Sequence, residues 1–286
     1  MDNKLKIAIQ TKGRLNEGSM RLISEAGIEL TVGKRKLVSA AKNFPVEILF
    51  LRDDDIPQTI ADGVADAGIV GENELLEKEK KLIIAKRLGF SKCRLSLAIP
   101  KSLVYPGINF FNGKKIATSY PNILKKYLKD NGINAEIHVI TGSVEIAPGI
   151  GLADAIFDIV SSGSTLISNR LKEAEVVLHS EAVLITRTDL PQDKTEIINE
   201  LIFRIESVQR AEGKKYILLN TPNEKIQEVA QLLPGMKSPT VVPLAMEGWS
   251  SMHSVIDEND FWDIIGKLKK AGAEGILVIP IEKMIF

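Results

Sequence analysis

A chain of 286 residues with 44% hydrophobic and 26% charged side chains has a globular composition, is long enough for two or three domains and needs no disulfide to hold its cores. Its 37 basic and 37 acidic residues cancel, which excludes a broad nucleic-acid surface while leaving room for a local basic patch. No apolar run is long enough to span a bilayer, and the first ten residues lack the apolar stretch and cleavage site of an export signal, so no membrane partner and a cytoplasmic location are expected.

Read in chain order, the first part alternates strand and helix signals. Residues 6–10 read as a strand, and residues 15–26 have helical spacing, with Leu15, Met20, Ile23 and Ala26 on roughly one face and Gly27 as a stop. Residues 46–51 are a second apolar strand. Asp55 is placed to cap a helix that has Pro57 close behind, runs through Ala61 and ends at Gly63. Residues 67–70 are a buried strand of small and apolar side chains. Strands separated by helices imply a mainly parallel sheet covered on both faces.

A new unit begins near Lys92. Residues 94–99, 115–118 and 137–139 read as strands, with a helix over 120–129. Residues 153–160 mix a helix-like start with a buried strand, and Gly163 follows. Residues 182–186 are a further strand and 194–213 a long amphipathic helix. The single Cys93 has no disulfide partner, which fits a reducing compartment; at the head of an apolar run it reads as a half-buried structural residue, the alternative being a reactive thiol.

The tail from Lys214 differs. Strands over 216–219, 240–245, 249–256 and 275–280 alternate with helices over 223–233 and 258–271. The order strand–helix–strand–strand–helix–strand is the split βαβ or ferredoxin-like unit.

The stretch 154–166, DAIFDIVSSGSTL, is the most informative. Acidic Asp154 and Asp158 suit ribose hydroxyls, and the backbone N–H groups of Ser161, Ser162, Gly163, Ser164 and Thr165 can converge on a phosphate. A Ser-rich turn that caps a helix has the same composition. Upstream, Glu145 follows a short Gly142-Ser143 turn, placed either near the same sugar or in the first turn of a helix. Lys12 and Arg14 flank Gly13 where the first strand ends, which suits a polyphosphate or a solvated loop. Arg52 ends the second strand and is followed by Asp53, Asp54 and Asp55, which could hold Mg²⁺ but also suit a helix cap and a solvated loop. Asp66, Ala67, Gly68 and Ile69 leave room for a flat base against the backbone, or for tight packing. His138, His179 and His253 have no metal-site spacing. There is no Walker A motif and no Gly-x-Gly-x-x-Gly after a strand.

In their order and over the first two-thirds of the chain, residues 12–15, Arg52 with its acidic followers, 66–71, 142–148 and 154–166 resemble the ATP phosphoribosyltransferase family. Residues 234–240, PGMKSPT, resemble the regulatory domain of the family's long form. The resemblance implies a two-lobed catalytic part like the periplasmic-binding-protein type II fold, followed by a ferredoxin-like (ACT-like) α+β regulatory domain. Residues 1–90 with 183–210 would form lobe I, 91–182 lobe II with the loop for phosphoribosyl pyrophosphate (PRPP), and 211–286 the regulatory domain. The implied reaction condenses ATP with PRPP, with Mg²⁺ accompanying PRPP.

By that resemblance the loop from Ser161 to Thr165 wraps the 5′-phosphate of PRPP, with Asp154 and Asp158 at its base and Asp154 on the ribose hydroxyls. Glu145, with Asp154, lies near the metal. Lys12, Arg14 and Arg52 bind the anionic groups of ATP and pyrophosphate, Lys12 and Arg14 serving catalysis. Asp66, Ala67, Gly68 and Ile69 border the adenine. Met236, Ser238, Thr240 and Ala273 receive histidine as a feedback inhibitor, and the chain exchanges between dimers and hexamers. Ser162 and Ser164 stand where Thr or Ala is frequent, and the run Asp53–Asp55 is heavier than the family's pattern, which leaves the roles of Asp53 and Asp54 open. The competing expectation is a two-lobed small-molecule binding protein fused to an amino-acid sensor domain.

Overall fold

The structure is a computed structural model that describes residues 4–31, 37–233 and 238–286. Two compact units divide the chain: Met1–Ser24 with Ile28–Asn199, and Glu25–Gly27 with Glu200–Phe286. The first unit contains two sheets, and each is the floor of a lobe.

Lobe I is built from β1 (Leu5–Gln10), α1 (Arg14–Glu25), β2 (Val38–Ala40), β3 (Val46–Leu51), α2 (Ile56–Ala61), β4 (Ala67–Gly71), α3 (Glu72–Lys78) and β5 (Leu82–Arg87). The chain then crosses to lobe II, which holds β6 (Cys93–Pro100), β7 (Lys115–Thr118), α4 (Pro121–Asp130), β8 (Glu136–Val139), β9 (Ala155–Val160), α5 (Ser164–Ser168) and β10 (Leu171–Ser180). It returns through β11 (Ala182–Arg187) and enters α6 (Gln192–Ala211).

The lobe I sheet has the order β2-β3-β1-β4-β11-β5, and the lobe II sheet β10-β6-β9-β7-β8. In lobe I β3, β1 and β4 run parallel, while β11 is antiparallel to both β4 and β5. In lobe II β8, β7 and β9 run parallel, and β6 is antiparallel to β9 and β10. The sheets are therefore mixed rather than simply parallel. The strand that returns from lobe II inserts between two strands that belong to the outgoing chain.

Side-chain alternation explains why the lobe II sheet is covered on both faces. On β6, Leu95, Leu97 and Ile99 join Phe111, Ile116, Leu124 and Phe157 on one side. Ala98, one residue out of phase, joins Val144, Ile156, Leu166 and Leu171 on the other. Each large side chain removed from water this completely contributes about 1.5–3 kcal/mol. In lobe I, Ile56 and Ile60 of α2 pack with Ala8, Val70, Val183 and Ile185.

In the second unit β12 (Lys214–Pro222), α7 (Ile226–Leu232), β13 (Thr240–Pro243), β14 (Trp249–Asp257), α8 (Glu258–Lys270) and β15 (Glu274–Pro280) follow in turn. The sheet order β13-β14-β12-β15 is that of the split βαβ unit. Ile217, Leu219, Met252 and Ile256 form its core with Val229, Leu233, Leu268 and Ala271.

Three local expectations need correction. Residues 153–160 have no helical start: a plain strand begins at Ala155. Asp55 makes no side-chain cap bond to α2; the helix is entered instead through a 3₁₀ turn over Asp53–Asp55. The strand expected over 240–245 ends at Pro243. Among the described residues no helix is long and apolar enough to cross a membrane.

Candidate active site

Parallel strands bring their carboxyl ends to one edge of a sheet, where open α/β folds receive ligands. In lobe I that edge carries Lys12 and Arg14 after β1 and Arg52 after β3. The two exits are neighbours, because Gln10 pairs with Leu51 and Thr11 donates its N–H to the Leu51 carbonyl at 2.8 Å. The exposed Arg52 is held by Asp54, with Nε to Oδ1 at 3.1 Å and Nη2 to Oδ2 at 3.4 Å. Asp53 in turn accepts the Asp54 N–H at 3.1 Å. The acidic run thus shapes the turn that displays Arg52; as an exposed pair it adds little stability.

In lobe II the matching edge is the end of β9. A pocket there is lined by Glu145, Asp158, Ser161, Ser162, Gly163 and Thr165, floored by Ile156 and Leu166. Gly163 sits at φ +80°, a left-handed conformation that turns the loop at little steric cost. The Ser162 and Ser164 hydroxyls are 3.0 Å apart and hydrogen-bonded. Burial pushes the Asp158 carboxyl up to about 6; the N–H of Ile159, donated at 2.8 Å, opposes this and the nearby charge of Glu145 adds to it.

The lobes meet over this loop. Arg14 donates from Nη1 to the Ser161 hydroxyl oxygen at 3.3 Å. Beneath, the buried Tyr120 at the end of the β7–α4 turn accepts from Asn73 Nδ2 at 3.3 Å. Burial and a hydrogen bond to the neighbouring Glu74 hold the Tyr120 hydroxyl protonated. Burial likewise raises the Glu74 carboxyl, partly offset by the bond from Tyr120 and increased by the charges of Asp53 and Asp54. One turn further along α3, the buried Glu77 caps a helix of the other lobe. Its carboxylate accepts the Asn122 N–H at 2.9 Å and the Ile123 N–H at 3.0 Å, and Asn122 Nδ2 donates to the Glu77 carbonyl at 2.9 Å. Burial raises the Glu77 carboxyl despite these two donors.

The structure thus brings Arg14 to Ser161 and gathers Glu145, Asp158 and the 161–165 loop into one pocket, with Lys12 and Arg52 on the carboxyl edge of lobe I. Other expected residues lie elsewhere. Asp154 stands at the amino end of β9, accepting the Lys115 N–H at 2.9 Å with Lys114 Nζ 4.0 Å away. A strand of this length puts it roughly 20 Å from the loop, too far for the same ribose. Glu145 and Asp154 are accordingly not brought together around a metal. Among the described residues no group of three or more His, Cys, Asp or Glu side chains is arranged to hold a metal ion.

Asp66 also lies at the wrong end of its strand. Buried, it accepts the Lys6 N–H at 2.9 Å and Lys194 Nζ at 2.6 Å. Ala67, Gly68 and Ile69 are interior strand residues. A Cβ on Gly68 would come within 2.7 Å of Ile56, 2.8 Å of Ile60 and 3.0 Å of the Ala8 carbonyl. The small residues accommodate α2 rather than a base.

In the second unit, Met236 lies outside the described residues, and Ser238 and Thr240 are exposed. Ala273 is buried, and its N–H is used by the Leu268 carbonyl at 2.9 Å. β13 and β15 occupy opposite edges of the sheet, so Thr240 and Ala273 are not brought together within one chain.

Sequence reasoning passed over Tyr120, Glu74, Glu77, Arg94 and Glu173. Arg94 alone left a signal, as a charge at the head of an otherwise apolar strand.

Comparison with known proteins agrees with this architecture. A histidine kinase sensor domain with similarity to periplasmic binding proteins superposes with a TM-score of 0.51, covering 73% of this chain and 91% of its own, at 10% identity; it shows the fold alone. The ATP phosphoribosyl transferase (HisG:HisZ) complex from Thermotoga maritima gives a TM-score of 0.60 at 30% identity, covering 71% of this chain and 98% of that one. The catalytic part is therefore of the class of two-lobed phosphoribosyltransferases, built on a periplasmic-binding-protein architecture.

The family profile described as ATP phosphoribosyltransferase matches residues 52–207, and that described as HisG, C-terminal domain, matches 211–283. ATP phosphoribosyltransferase of Bacteroides thetaiotaomicron is 66% identical over 281 residues, 98% of this chain and 99% of the relative. That of Cytophaga hutchinsonii is 61% identical over 285 residues, covering all of both chains. The chain belongs to the ATP phosphoribosyltransferase family. The competing expectation of a binding module shares the fold of the catalytic part and not the family.

Proposed function

We propose that the protein joins ATP to PRPP, giving N1-(5-phosphoribosyl)-ATP and pyrophosphate, the first step of histidine biosynthesis, in the cytoplasm. The lone pair of adenine N1 forms the new bond to C1 of the ribose while the bond from C1 to pyrophosphate breaks and its electrons leave with the pyrophosphate. The nucleophile needs no strong base, so catalysis rests on alignment and charge stabilisation.

The observation that carries the reading is the loop pocket with Glu145 and Asp158 at its wall and Arg14 reaching Ser161 from the opposite lobe. In this reading Ser161, Ser162, Gly163, Ser164 and Thr165 receive the 5′-phosphate. Asp158, which lines that pocket, takes the ribose hydroxyls in place of Asp154. Lys12, Arg14 and Arg52 bind the anionic parts of ATP and the leaving pyrophosphate. Two carboxylates beside a polyphosphate fit Mg²⁺, which keeps most of its shell as water and phosphate oxygens. Glu145 and Asp158 would hold it, and when bound with PRPP it neutralises the leaving group.

Residues 1–90 with 183–210 and residues 91–182 act as the two lobes in this reading, and 211–286 as a histidine-binding regulatory domain in a homo-oligomer of dimers and hexamers. Purified protein should release pyrophosphate only when ATP and PRPP are supplied together with Mg²⁺. Release with other bases but not with adenine nucleotides would overturn the reading. Added histidine should lower that turnover; an unaffected rate would leave the tail a plain assembly domain.

A further inference from the structure

Arg94 lines no part of the pocket, yet it is fastened to the loop that does. It faces Val160 across the β6–β9 pair, and its Nη1 donates to the Ser161 carbonyl at 3.1 Å. The rest of the guanidinium is held in a fork: Nε and Nη2 donate to the two carboxylate oxygens of Glu173 on β10, at 2.6 and 2.8 Å. The Ser96 hydroxyl donates to the same carboxylate. The bond from Arg94, more than that from Ser96, keeps the Glu173 carboxyl below the usual range. Side chains from two strands thus lock the one guanidinium that reaches the carbonyl.

That carbonyl belongs to a planar trans peptide, in which C=O and the following N–H point in opposite directions. Fixing the Ser161 oxygen toward Arg94 therefore turns the Ser162 N–H away from it. A loop that grips a phosphate needs its amides forward and its carbonyls back, because a carbonyl oxygen facing a dianion repels it. Arginine suits the task better than lysine. Its rigid fork can bind a carboxylate with one edge and a carbonyl with another, whereas an ammonium offers charge without that geometry.

We propose that Arg94, held by Glu173 and Ser96, is the positioning residue of the loop: it fixes the 161–162 peptide plane so that the Ser162 N–H is presented to a phosphate oxygen of PRPP. The inference rests on the reading of the 161–165 loop as the PRPP site.

Steady-state kinetics of the full-length protein with ATP, PRPP and Mg²⁺ test it, with Arg94→Lys, Glu173→Gln and Gly163→Ala assayed beside the wild type. Arg94→Lys keeps the charge and loses the fork, so KM for PRPP should rise about tenfold, as one charge-assisted hydrogen bond implies. KM for ATP should stay within about twofold. Glu173→Gln should repeat the pattern with a smaller rise. Gly163→Ala strains the loop itself and should raise KM for PRPP wherever Arg94 acts. If Gly163→Ala raises it and Arg94→Lys does not, the positioning role fails and the site stands. If Gly163→Ala leaves it unchanged, the site reading fails and the proposal with it. Equal rises in both KM values with a fallen melting temperature would reduce Arg94 to a fold-stabilising residue and overturn the proposal.

Discussion

Replacing Asp158 by Asn should stabilise the free protein near neutral pH while weakening its hold on PRPP. Burial and the charge of Glu145 raise this carboxyl from its usual 3.8 to about 6. A raised carboxyl favours the folded state where it is protonated. That contribution is complete below about pH 4 and is lost as pH climbs through about 6. Above pH 7 the ionised Asp158 therefore costs about 3 kcal/mol relative to a neutral side chain. Asn keeps the oxygen that accepts the Ile159 N–H and carries no charge, so it avoids the loss. Thermal unfolding of both proteins from pH 4.5 to pH 7.5, without substrates, reads the effect directly. About 1 kcal/mol of the penalty is already present at pH 4.5, so the melting temperatures should differ by roughly 2–3 °C at the acid end and by roughly 6–10 °C at the neutral end, for a body of this size. A separation that is absent, or equal at both ends, would refute the argument. Adding PRPP with Mg²⁺ should then narrow the gap, because ligand binds the folded wild type more tightly than the variant.

Arg14→Ala should abolish most turnover and leave melting within about 1 °C of wild type, since the exposed side chain makes one long bond to Ser161; full turnover in a well-folded variant would end its assignment. Asp66→Asn should cost about 1–3 kcal/mol in denaturant unfolding, by unpairing the part-buried Lys194 and loosening the Lys6 amide. The same variant, assayed where folded, should keep its KM for ATP. Gly68→Ala should cost about 1–3 kcal/mol through overpacking against Ile56 and Ile60, again with KM for ATP unchanged.

The sequence made the fold legible wherever alternation was clean. β1, β3, β6 and the tail's split βαβ unit each keep apolar side chains on a regular period, while β4 was legible as a short continuous run of small and apolar residues. β10 was unreadable because register shifts between Glu173 and Glu175 and between Val176 and Leu178 break that period. α3 was missed for a different reason: its buried residues include Asn73 and Glu77, polar groups satisfied by partners far along the chain. The loop pocket was legible as a run of residue types. Which carboxylate faces it was not, because the helix-like start expected over 153–160 would have drawn Asp154 toward the loop, whereas a plain strand keeps it at the far end. Asp154 and Asp158 belong to one motif, yet β9 carries them to opposite ends. Asp66 was misplaced for want of its partners, Lys6 and Lys194, which lie 60 and 128 residues away in the chain.

The Glu77 carboxylate makes the two lobes structurally interdependent. The N-cap residue of α4 offers its helix no side-chain cap, so its first free amides find their acceptor in the neighbouring sheet's territory. Separating the lobes there would hand two donors and an anion back to water, losing about 1.5–3 kcal/mol for each hydrogen bond to the carboxylate. A fragment carrying lobe II alone would begin life with a frayed α4.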